Sequence, residues 1–185
     1  MTGQSFLLLP FPDPDIPDIV ITGKILRKNS IFSIHYALTG EIKDIYLPSL
    51  SIHPTRKDDL WKDTCFEFFL AIKDLHQYWE CNISPSGDWN VYHMEAYRRI
   101  GFRSETAIQQ LQFAAQRTEN GLILNAAIDL DSIILLGQVL EVGVTAVIQS
   151  REGNESYWAL AHPAPEPDFH LRESFILQAA ERIHL

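Results

Sequence analysis

Apolar residues fall at about every second position in a series of short runs, and turn residues separate the runs. Ile19–Arg27 and Ile31–Leu38 alternate in this way and meet across Lys28-Asn29-Ser30. Thr64–Ala71 and Tyr78–Ser84 follow, joined by a polar link around Lys73–Gln77, and Ser86-Gly87-Asp88 turns the chain into Trp89–Glu95. Further on, Leu111–Thr118 and Leu122–Ile128 flank Asn120-Gly121, a dipeptide that favours two-residue hairpin turns because both positions tolerate φ > 0. Val142–Ser150 and Tyr157–Leu160 flank Glu152-Gly153-Asn154, and Phe175–Ala180 is the last predicted strand. Asp131–Leu136 reads as a short helical turn capped by Asp131. Roughly eight or more short strands with little helix predict an all-β fold, an antiparallel β-sandwich of jelly-roll or immunoglobulin-like type.

Two proline-rich stretches interrupt the pattern. Residues 1–18 form an extended lead-in, stiffened by Pro10, Pro12, Pro14 and Pro17, and Pro163, Pro165 and Pro167 rigidify the loop before Phe175. No internal repeat or low-complexity tract is present. A single domain over residues 1–185 is the expectation, since one core suits a chain of this length.

Composition narrows the function. The 185 residues are 46% hydrophobic and 21% charged, a globular balance. A net charge of −9 with no local Lys/Arg cluster argues against nucleic-acid binding. No apolar run approaches the ~20 residues of a membrane-spanning helix. The N-terminus lacks a basic region, and Pro10 ends its only apolar stretch, so a reducing, cytoplasmic location is expected. Two cysteines, Cys65 and Cys81, make no disulfide framework. Gly-rich phosphate loops and the CxxC, HExxH and GxSxG signatures are absent.

The central hairpin carries the chemistry. Side chains alternate faces along a strand, so Phe66, Phe68 and Leu70 should share the core face with Trp79, Cys81 and Ile83. Glu67, Tyr78, Glu80 and Asn82 then share the other face, and Cys65 and Cys81 fall on opposite faces. Glu67 lies opposite either Glu80 or Asn82, depending on the turn. Like charges side by side on a sheet destabilise it. A nearby cation, a ligand hydroxyl or a raised pKa would offset them, and Tyr97-Arg98-Arg99 is placed to supply guanidinium groups. Acids, an amide and arginines beside the flat rings of Tyr78, Tyr92 and Trp61 suit a sugar, whose hydroxyls donate and accept while its C–H faces stack on rings.

The runs Leu60-Trp61-Lys62-Asp63-Thr64-Cys65-Phe66-Glu67-Phe68-Phe69-Leu70, Tyr78–Trp89 and Tyr97-Arg98 resemble motifs of the DOMON-like proteins, bacterial relatives of the family 9 carbohydrate-binding modules. Ser156-Tyr157-Trp158-Ala159-Leu160 and the stretch from His162-Pro163 to Asp168-Phe169-His170 are similar to the same subgroup. The resemblance runs roughly from Val20 to Leu177. It implies a β-sandwich that holds a sugar between aromatic rings on one sheet face. By that resemblance Trp61 matches the stacking ring, Glu67 the hydroxyl-binding acid and Arg98 the binding arginine, and Trp158 is the candidate second ring.

Other readings follow from the same residues. His162, Asp168 and His170 are a weak candidate set for a transition metal, with spacings that fit no specific template. Met94 with a histidine would be a haem ligand pair, but His93 beside it points to the opposite face. No cofactor is predicted. The leading expectation is a non-catalytic domain binding a carbohydrate or similar polyhydroxylated small molecule. The alternatives are a glycoside-processing enzyme built on Glu67 and Glu80, whose carboxyls would stand ~5–5.5 Å apart for retention or ~6.5–9.5 Å for inversion, and a face that docks a protein partner or a second copy. Both acids are expected to project from a flat face without a cleft.

Overall fold

The computed structural model describes residues 3–98 and 102–180, so Arg99 lies outside the described residues. The elements are β1 (Gln4–Pro10), β2 (Ile19–Lys28), β3 (Ile31–Gly40), β4 (Cys65–Ile72), β5 (Tyr78–Ile83), β6 (Trp89–Met94), β7 (Arg103–Ser104), β8 (Gln112–Thr118), β9 (Gly121–Asp129), β10 (Leu140–Gln149), β11 (Glu155–Ala159) and β12 (Leu177–Ala179). Among the described residues there is no α-helix, only three short 3₁₀ turns. The fold is all-β and antiparallel, as the alternation predicts.

Hydrogen bonding joins the strands in one curled sheet rather than two separate ones. Its order is β7-β6-β5-β4-β10-β11-β1-β2-β3-β9-β8, with β12 added to β10. The join is β1. Gln4–Leu8 pair with β2, and Leu9 and Pro10 pair with β11. Residues 1–18 are thus more than a lead-in: Phe6 and Leu8 point into the core while Leu7 and Leu9 face out. Because both parities carry leucine, alternation does not mark this strand in the sequence.

Turn chemistry sets the strand ends. Asn29, between β2 and β3, has φ 54°, a conformation asparagine tolerates better than most residues. The β8–β9 hairpin forms as predicted, but Thr118 pairs with Gly121, so the two-residue loop is Glu119-Asn120. Neither Asn120 nor Gly121 has positive φ. Gly121 is instead required by a close approach, since a Cβ there would stand 2.7 Å from the Leu38 carbonyl oxygen. The turn after β9 is capped two residues earlier than predicted: the Asp129 carboxylate accepts the Asp131 N–H at 3.1 Å.

Curling brings the two halves of the sheet face to face. Phe32 of β3 meets Phe68 of β4 with ring centroids 5.1 Å apart, and Tyr36 meets Phe66 at 5.0 Å. The inward parity of β4 and β5 is the predicted one, Phe66, Phe68 and Leu70 with Trp79, Cys81 and Ile83. Tyr36 also reaches across the core, its buried hydroxyl donating to the Glu67 carbonyl at 2.7 Å. Burial holds that phenol protonated by raising its pKa. Cys65 and Cys81 are both buried free thiols.

Tyr36→Phe removes the donor of a buried hydrogen bond without changing ring packing. Urea denaturation is expected to show a loss of about 1–2 kcal/mol with an unchanged m value.

Candidate functional site

The second face of β4, β5, β6 and β10 is buried as well. Every residue of β4, β5 and β6 is buried, which needs cover on both sides of the sheet. Pairing register arranges this second face in rows. Thr145, Glu67, Asn82 and Asn90 form one row across β10, β4, β5 and β6. Gly143, Phe69, Glu80 and Tyr92 form the next, and Tyr78 and Met94 belong to the third. Glu67 is therefore opposite Asn82, and Glu80 opposite Phe69.

Loops supply the cover. Phe169, His170 and Phe175 pack over the lower rows, where Phe69 stands 5.3 Å from Phe175 and 5.5 Å from His170, ring to ring. Gly143 makes room for this, since a Cβ there would meet the Phe175 ring at 2.7 Å. Trp61, in the 3₁₀ turn before β4, packs edge-on against Tyr92 at 5.8 Å and Phe102 at 6.3 Å. Tyr92 donates its hydroxyl to Asp58 at 2.8 Å, which anchors that loop. Between these covers is a cavity of about 400 Å³. Glu67, Glu80, Tyr92 and Met94 line it from the sheet, Trp61, Arg98 and Phe102 from one set of loops, and Tyr157, Phe169 and His170 from the other side of the sequence. The expected flat face is a cleft.

The polar groups of the cavity are short of partners. Glu67 accepts a hydrogen bond from the Thr145 hydroxyl at 3.1 Å, and Glu80 accepts one from Asn82 Nδ2 at 2.8 Å. Burial raises the Glu67 pKa well above the carboxylate range, and the neighbouring Glu80 raises it further against the Thr145 bond. Burial likewise lifts Glu80 to about 7, opposed by its Asn82 bond and by Arg98. His170 is pushed the other way, to about 4, by burial and then by Arg98. Its Nε2 lies 4.0 Å from Glu80 Oε2, but a neutral imidazole beside a half-protonated acid is no ion pair at pH 7. Tyr78, raised to about 12 by burial, stays protonated and lies 2.9 Å from His170 Nδ1. Donation to Nδ1 puts the ring proton on Nε2, facing Glu80. Arg98, with φ 41°, is engaged at the rim by Asp168 at 3.0 Å. Among the described residues, Asn82 Oδ1 is buried with no hydrogen-bond partner.

A larger depression of about 520 Å³ lies over β2, β3, β8 and β9. Its histidine and amide, His35 and Asn125, satisfy each other at 2.9 Å, and its polar residues are half-buried or exposed. It presents no buried group that needs a ligand.

No protein-family model and no curated protein sequence matches the chain. Solved structures do match. A protein from Bacteroides uniformis ATCC 8492, provisionally described as carbohydrate-binding, superposes with a TM-score of 0.73 at 12% identity over 97% of this chain and 87% of its own. A family 9 carbohydrate-binding module from Caldicellulosiruptor kristjanssonii superposes in its complexes with glucose and with cellotriose. The TM-scores are 0.54 and 0.55 at 10% identity, covering 93% and 98% of this chain and 82% and 85% of that one. The fold is that of the family 9 modules.

Within this family 9 fold, the structure gathers Trp61, Glu67, Glu80, Tyr92 and Arg98 around one cavity. Tyr78 and Asn82 share its face but bond to His170 and Glu80 beneath the lining. Trp158 is not part of the site. It is buried in the main core, paired with Ala146, and its indole N–H donates to Ser156 Oγ at 3.0 Å. The neighbouring Tyr157, of opposite parity, lines the cavity in its place, and alternation along Ser156-Tyr157-Trp158 was the signal that could have found it. Phe102, Phe169 and His170 come from loops, where no periodicity marks a facing residue. The three metal candidates are not assembled either. His162 Nε2 bonds to the Leu9 carbonyl oxygen at 2.9 Å, and Asp168 is taken by Tyr97 and Arg98. Among the described residues no three His, Cys, Asp or Glu side chains gather to hold a metal. His93 lies against Trp79 and Arg103, away from Met94 in the cavity.

The raised carboxyl gives a stability signature. From its ordinary 4.5 up to about 7, unfolded Glu80 has released a proton that the folded protein keeps, so this group's contribution falls as pH rises. His170 acts oppositely between 6.5 and about 4, where only the unfolded chain is protonated, so stability rises with pH there. Glu80→Gln removes the first slope, lessens that of the neighbouring Glu67 and leaves that of His170. Relative to the parent it should gain about 3 kcal/mol between pH 4.5 and 8, measured by urea denaturation at each pH.

Proposed function

We propose that the protein is a non-catalytic carbohydrate-binding domain that holds a saccharide in the cavity above Glu67 and Glu80. The cavity itself carries the reading. Two aromatic groups, Trp61 with Tyr92 and Phe102, and Tyr157 with Phe169, line a space that also exposes buried hydrogen-bonding acids. Flat rings take the C–H faces of a sugar, and carboxyls serve its hydroxyls as acceptors when ionised and donors when protonated. At about 400 Å³ the space is at the small end for ligand sites. The shared fold supports the same reading, because the module from C. kristjanssonii was solved with glucose and with cellotriose.

Glu67 and Glu80 are diagonal rather than directly opposed, which separates their Cα atoms by ~7–8 Å.

Glucose or cellotriose is expected to quench tryptophan fluorescence and to give a saturable calorimetric isotherm. Trp61→Ala and Tyr157→Ala should each weaken binding about tenfold, while chromogenic glycosides remain uncleaved. A broad glycan array without a hit would overturn the reading, and turnover that disappears in Glu67→Gln would replace it with the enzymatic one.

A further inference from the structure

Among the described residues, the cations lining the cavity are already engaged. Lys62 Nζ is held 2.7 Å from Asp59, Arg98 is held by Asp168, and His170 is neutral. The acids are not matched in the same way. Glu155 takes the Tyr157 hydroxyl at 2.6 Å, but Glu67 has only a neutral hydroxyl and Glu80 only a neutral amide. Among the described residues Glu80 Oε2 accepts no hydrogen bond, and His170 Nε2 stands 4.0 Å from it. Among the described residues, two buried carboxyl groups therefore line the cavity with no cation bonded to either. Beneath them Asn82 Oδ1 is a further buried acceptor without a donor. The aromatic residues around the same space add faces of negative potential that attract cations.

We propose that the saccharide taken by this cavity carries a protonated amine, with its ammonium group on Glu80 Oε2 among the aromatic rings. The proposal rests on the carbohydrate-binding reading and narrows it. A neutral hexose brings no charge to set against the Glu80 carboxylate, and an acidic sugar adds another negative group to a desolvated space. An ammonium ion forms charge-assisted hydrogen bonds, about twice as strong as neutral ones. Glu80 is half ionised near pH 7, so ionising it fully lowers affinity by only a factor of about two.

The test compares D-glucosamine, N-acetyl-D-glucosamine, D-glucose and cellotriose by titration calorimetry at pH 7. Glucosamine is expected to bind at least about tenfold tighter than glucose or its N-acetyl derivative. In Glu80→Gln the preference should shrink to within about twofold. A second readout needs no variant: the ¹³C carboxyl resonance of Glu80 should move to its ionised position with glucosamine and stay put with glucose. Equal binding of glucose, equal binding of the acetylated sugar, or a preference that survives in Glu80→Gln overturns the proposal. If cellotriose binds and glucosamine does not, this inference falls and the carbohydrate-binding reading stands; if none of the four binds, both fall.

Discussion

Two glutamates buried on the second face of a sheet impose the constraint from which the site follows. A carboxylate taken out of water is costly unless something replaces its hydration. Here the chain provides one hydroxyl for Glu67 and one amide for Glu80, and burial raises the pKa of both. A core that needed only stability would place apolar side chains at these positions, as it does further along the same face of β4 at Phe69 and Ala71. Retaining acids inside a cavity bordered by rings is a state that a ligand can improve.

The scaffold holds those acids still. β4 is fixed from both sides: its inward side chains interlock with Phe32 and Tyr36 across the core, and Tyr36 binds the backbone of Glu67 itself. β10 pairs with β4 along one edge and with β11 and β12 along the other, so Thr145, Glu67 and Tyr157 are all set by one strand's register. Shifting that register by one residue would send every one of these side chains to the opposite face. The loops over the cavity are fastened to this floor in turn, Asp58 by Asn90 and Tyr92, and Asp168 by Tyr97 and Arg98.

Alternation made the floor legible in the sequence. The parity of Thr64–Ala71 and Tyr78–Ser84 placed Glu67, Tyr78, Glu80 and Asn82 on one face, because a period of two leaves a strand no other choice. Whether Glu67 met Glu80 or Asn82 was not legible, since loop length alone does not set the pairing of a hairpin. β1 was missed because leucine occupies both its faces, and Trp158 was misplaced because ring chemistry was weighed there without the parity that assigns Tyr157 to the cavity. The burial of the whole face was beyond reach for a different reason. It depends on Trp61, Phe102, Phe169 and Phe175, which arrive from loops far apart in the chain and obey no repeat.

That burial changes what the acids are. On an exposed face Glu67 and Glu80 would be ordinary surface carboxylates, solvated and screened, each contributing little. Under the loops burial raises the pKa of both, Glu67 well above the carboxylate range and Glu80 to about 7, where it is poised between its two forms near neutrality. Glu80, with one oxygen committed to Asn82 and the other toward His170 and the cavity, is the group placed to respond to what enters.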